Sequence, residues 1–118
     1  MSGLADRDLA AVPAGTPPLA SAEIAKYQRL IAPAWRVVAA DAGGDAGNRL
    51  TITISTPNFV EAMALAVRVA TLAEQVNHHP ELLIAWGRVT VTIWTHTTGG
   101  LTGNDFIFAA KVDALLAA

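Results

Sequence analysis

"ELLIAWGRVTVTIWTH", residues 81–96, holds two strand-like runs hinged at Gly87. In the second run Val89, Val91 and Ile93 alternate with Thr90, Thr92, Trp94 and His96. That period of two puts one set on each face of a sheet. Upstream, "NRLTITIST" at 48–56 repeats the pattern, with Leu50, Ile52 and Ile54 facing one way and Thr51 and Thr53 the other. "AWRVVAAD" at 34–41 is rich in β-branched residues and makes a fourth strand, linked to the third by "AGGDAG" at 42–47, which is long for a hairpin but supplies its glycines.

The two strand pairs are separated by the clearest helix in the chain, over 58–77. Phe59, Ala62, Met63, Ala66, Val69, Ala70, Ala73 and Val76 make a broad apolar stripe, and Glu61, Arg68 and Gln75 mark the wet side. Pro80 stops this helix and holds His79, the residue before it, away from helical angles. A first helix starts at a Ser21 N-cap, carries Ile24, Tyr27, Leu30 and Ile31 at helical spacing, and closes at Pro33. A last helix opens after "TTGG", where Thr102 and Asp105 form the aspartate variant of a capping box. The order is α-β-β-α-β-β-α. Paired strands with helices between the pairs predict the α+β class: a four-stranded antiparallel sheet with three helices packed on one face.

At 118 residues the chain suits one domain. Residues 1–18, rich in Ala, Gly and Pro, are expected to be a flexible N-terminal tail, and 19–118 the domain. The composition is 53% apolar and 15% charged, that of a globular protein, and a net charge of −2 without any basic block gives no reason to expect nucleic acid. No apolar run approaches the roughly 20 residues of a membrane span, and the N-terminus lacks the pattern of a signal peptide. Cysteine is absent, which excludes disulfides and thiolate chemistry and fits a cytoplasmic location.

The chain's three histidines are His78, His79 and His96. Glu74 and His78 stand four residues apart, one helical turn on a shared face, where a carboxylate can orient an imidazole. The plainer alternative is a histidine at the helix C-terminal dipole. His79 reads equally as a loop histidine, and His96 as an ordinary residue at a strand end beside a Gly-rich loop. A zinc site fits poorly. The order is Glu-x3-His-His, and adjacent histidines rarely converge on one ion. "GGDAG" lacks the ending and context of a phosphate loop.

Taken together, Glu74, His78-His79-Pro80, Trp86, His96 and Asp105 resemble the signature of the pterin-4a-carbinolamine dehydratases. "FVEAMALAVRVATLAEQVNHHPE" resembles that family's central helix and its exit, and "VTVTIWTHTTGGLTGNDFIFAAKVDAL" its last strand, loop and helix. The likeness covers about residues 19–117. It implies dehydration of 4a-hydroxytetrahydropterin (pterin-4a-carbinolamine) to quinonoid dihydropterin and water, recycling the tetrahydropterin cofactor of aromatic amino acid hydroxylases, with no metal or organic cofactor. By position it makes His78 and His96 the acid/base pair, with Glu74 orienting His78. His79 and Pro80 bind the pterin, and Asp105 and Trp86 support the site. It also implies a homodimer or homotetramer. Asn77, Asn58 and Leu65 depart from the residues common at those positions; none removes a proposed catalytic group. The competing reading is a non-catalytic protein-binding, assembly or dimerisation factor on the same fold.

Overall fold

The two alternating threonine-bearing strands lie side by side at the centre of the sheet. The structure is a computed structural model and describes residues 3–40 and 47–118. Its elements are α1 (Ser21–Gln28), β1 (Arg36–Ala39), β2 (Asn48–Ser55), α2 (Phe59–Val76), β3 (Glu81–Ala85), β4 (Arg88–Ile93) and α3 (Gly103–Ala117). All neighbours in the sheet are antiparallel, in the order β1-β2-β4-β3. The expected class and element order are therefore what the chain adopts. Most of the loop joining β1 to β2 lies outside the described residues. No helix among the described residues is long and apolar enough to cross a membrane.

Register explains the alternation. Leu50 pairs with Ile93, Ile52 with Val91 and Ile54 with Val89, so both apolar sets face the helices. On the other face Thr51 meets Thr92 and Thr53 meets Thr90, each pair joined hydroxyl to hydroxyl at 3.0 Å. Such cross-strand pairs hold an open face without apolar cover. Helix α3 is buried along Asp105–Ala110, because it packs against α2, α1 and the N-terminal segment rather than against one partner. Tyr27 of α1 stacks on its Phe106 with ring centroids 5.0 Å apart.

The face α2 buries differs from the expected stripe. Ala62, Leu65, Ala66, Val69 and Ala73 are buried, whereas Phe59 and Met63 are 45% and 41% exposed and Ala70 is exposed. The helix is apolar around most of its circumference, so periodicity alone leaves its rotation open. Four alanine and valine side chains on the inner face let it approach the sheet closely. At the other helices, Ala20 and not Ser21 is the N-cap of α1, with its N–H donating to Glu23, and α1 ends at Gln28, short of Pro33.

Within the N-terminal segment, the stretch from Leu4 to Ala10 packs against α3. Leu4 is buried within a short 3-10 turn (Leu4–Asp6), Lys111 donates to the Ala5 carbonyl at 2.7 Å, and Asn104 bonds to Ala10 at both its N–H and its carbonyl. Leu9 packs on the core.

Candidate active site

The exit of α2 sets the geometry. Asn77 caps the helix in the left-handed conformation (φ 54°, ψ 46°), and the N–H groups of Asn77 and His78 both donate to the Ala73 carbonyl. Asparagine tolerates this conformation better than most residues. The left-handed residue takes His78 off the helix, so the one-turn relation between Glu74 and His78 that the spacing suggested does not arise. Glu74 instead pairs with His79, Oε2 to Nε2 at 2.5 Å, in an exposed contact. A surface pair of this kind contributes about 0–1 kcal/mol.

The partner of His78 is Asp105, Nε2 to Oδ1 at 2.6 Å, with the imidazole largely buried and the carboxylate wholly so. The other oxygen, Oδ2, accepts from the Thr95 hydroxyl at 2.8 Å and from the Thr102 N–H at 2.9 Å. Thr95 spends its one proton on Asp105, so the Thr102 hydroxyl, 2.7 Å away, donates to Thr95. Thr102 and Asp105 thus form the expected capping box, Asp105 accepting from the Thr102 N–H, and the Thr102 hydroxyl also bonds to Thr95. An ionised carboxylate only accepts, so in that state His78 Nε2 donates to Oδ1 and Nδ1 is the ring nitrogen turned away from Asp105. Phe108 meets the imidazole edge-on at 6.1 Å.

His96 follows β4. The loop after it closes on itself, with Thr95 and Gly100 forming an isolated bridge and Gly99 at φ 75°, which carries Thr95 back to Thr102. His96 is exposed and stacks on Trp94 with centroids 4.5 Å apart and ring planes 26° apart; the Arg49 guanidinium lies 4.1 Å from the centroid of the same indole. A face-on aromatic neighbour limits the orientations of an otherwise exposed ring.

His78, His79 and His96 line one cavity of about 510 Å³, together with Asn77, Thr95, Thr97, Asn104 and residues 9–12. That volume suits a small heterocycle. Two residues expected at the site lie elsewhere. Pro80 leads into β3 outside the cavity lining. Trp86 is 73% exposed in the turn between β3 and β4, at the end of the hairpin away from His96. A strand-to-strand turn and the far end of the same strand lie about 3.3 Å per residue apart, which puts the indole out of reach. The spacing of Trp86 from the histidine pair carried no such information. Nor did it point to Asn104 or Trp94 as neighbours of the cavity; each was legible only as a helix-start polar residue or a strand aromatic. Among the described residues no group of three or more His, Asp or Glu side chains could hold a metal ion.

Residues 17–115 match the family model described as pterin 4 alpha carbinolamine dehydratase. Relatives named for the same dehydratase include one from Rubrobacter xylanophilus, 40% identical over 98% of this chain and 100% of its own, and one from Syntrophotalea carbinolica, 47% identical over 84% and 85%. A crystal structure from Brucella melitensis, described as a transcriptional coactivator/pterin dehydratase, superposes with a TM-score of 0.69 at 30% identity, covering 83% of this chain and 97% of that one.

Proposed function

The chain belongs to the pterin-4a-carbinolamine dehydratase family of hydro-lyases, and on that premise we propose that it converts 4a-hydroxytetrahydropterin to quinonoid dihydropterin and water by histidine acid/base catalysis, returning a spent hydroxylase cofactor to its recycling route in the cytoplasm. The C4a–O bond breaks, the N5 proton leaves, and a C4a=N5 double bond forms. His78 suits the base. Its Nδ1 takes the N5 proton, and the buried Asp105 carboxylate at Nε2 stabilises the imidazolium that results. His96, open to solvent at the same cavity, suits the acid that protonates the departing hydroxyl. His79, held by Glu74, binds the pterin without moving a proton.

The observation that carries this reading is the buried Asp105–His78 pair opening with His96 onto one cavity. The direct test is stopped-flow loss of the carbinolamine, corrected for spontaneous dehydration. A chain that leaves the spontaneous rate unchanged at micromolar concentration overturns the proposal. Dialysis against a strong chelator is expected to leave the enzymatic rate as it was; activity lost on chelation and regained with zinc would show that a metal takes part.

Self-association belongs to the same proposal. Phe59, Val60, Met63 and Val67 form an exposed apolar strip on α2, with Val60 at 73% and Val67 at 57% exposure, and β1 and β3 leave open sheet edges. Light scattering is expected to return a multiple of the 12.3 kDa chain mass, and Val67→Glu to lower it. A clean monomer at micromolar concentration would contradict this.

A further inference from the structure

We propose that residues 9–12 form a substrate-contacting wall of the cavity and that Asn104 is the residue that positions it; the inference rests on the dehydratase reading of the same site. Leu9, Ala10, Ala11 and Val12 face the cavity that His78 and His96 line. They contribute apolar residues where the rest of the lining is largely polar. The segment is held from both sides. Behind it, Leu4 is buried and Lys111 binds the Ala5 carbonyl. Ahead of it, the Leu19 N–H donates to Leu101 at 2.8 Å.

Between these anchors, Asn104 makes the central link. Its Oδ1 accepts from the Ala10 N–H at 2.9 Å and its Nδ2 donates to the Ala10 carbonyl at 2.7 Å. A carboxamide has one donor end and one acceptor end, which match the two groups of a single backbone residue. Asn104 is also the neighbour of Asp105 in the first turn of α3. One helical turn therefore holds both His78, through Asp105, and this wall, through Asn104. A flat pterin seated against that wall loses apolar surface to it.

The wall carries no titratable group, so it contacts the ground state and the transition state alike. Loss of such contact raises KM and leaves kcat in place. Asn104→Ala is expected to raise KM by roughly fivefold to tenfold with kcat within about a factor of two. Val12→Asp, which alters the wall and leaves its anchors intact, is expected to do the same with an unchanged melting temperature. Together they answer the concern that Asn104→Ala acts through stability, since Val12→Asp then decides alone. KM within a factor of two of wild type in Val12→Asp overturns the inference. So does a fall in kcat at unchanged KM in Asn104→Ala, which would assign Asn104 to the support of Asp105. Wild-type protein without dehydratase turnover overturns the dehydratase reading and this inference with it, whereas wild-type turnover with unmoved KM in both variants overturns this inference alone.

Discussion

Turnover in the His78→Ala/His96→Ala double variant is expected to fall to within a few-fold of the spontaneous rate, while each single variant loses about 10- to 100-fold. General acid–base help from one positioned side chain is worth about 10²–10⁴-fold, and the spontaneous reaction in water limits how much loss can be observed. The two rings sit on different elements, one beyond the exit of α2 and one beyond β4, and share only the cavity. If they handle separate protons, the double variant loses clearly more than either single one. His79→Ala is expected to differ in kind, raising KM and sparing kcat, and Glu74→Gln to follow His79→Ala rather than His78→Ala because Glu74 bonds to His79. Circular dichroism first establishes that each variant is folded. Wild-type rates in a folded double variant would remove the histidines from the chemistry and favour a protein-binding role for this fold.

Asp105→Ala is expected to damage both stability and catalysis. The carboxylate is fully buried and accepts from His78, Thr95 and Thr102. Removing it strands buried donors at about 1–3 kcal/mol each, and for a network that acts as a unit the loss is about 3–5 kcal/mol. For a chain of this size that lowers the melting temperature by on the order of 10–20 °C. Asp105→Asn keeps the shape and one acceptor oxygen, so it is expected to melt much closer to wild type. Its turnover should nevertheless fall at least tenfold, because a neutral amide cannot stabilise the His78 imidazolium. Thermal melts and initial rates on the two variants separate the structural share from the chemical one. An Asp105→Asn variant with full activity would show that His78 does not need the charge.

The local chemistry of the chain is legible in its sequence. Alternation at Leu50, Ile52 and Ile54 and at Val89, Val91 and Ile93 defines the strands and their inner faces, because side-chain direction in a strand follows directly from residue parity. The helical run, the proline after the histidines and the Thr102–Asp105 cap set the element order in the same way. The three histidines and the two carboxylates stand out by type and spacing. Partnership does not. Glu74 is paired with the neighbouring histidine because Asn77 turns left-handed, a single backbone state that reverses a side-chain direction without any change in spacing. Asp105 reaches His78 across 27 residues because the β3–β4 hairpin brings Thr92 back beside Glu81 and the loop after His96 folds back on Thr95. Trp86 is removed from the site by the length of one strand, and residues 9–12 are drawn to it by side chains of α3. Each of these depends on contacts between segments distant in the chain, whose energies are set by three-dimensional packing, and local periodicity carries no record of them.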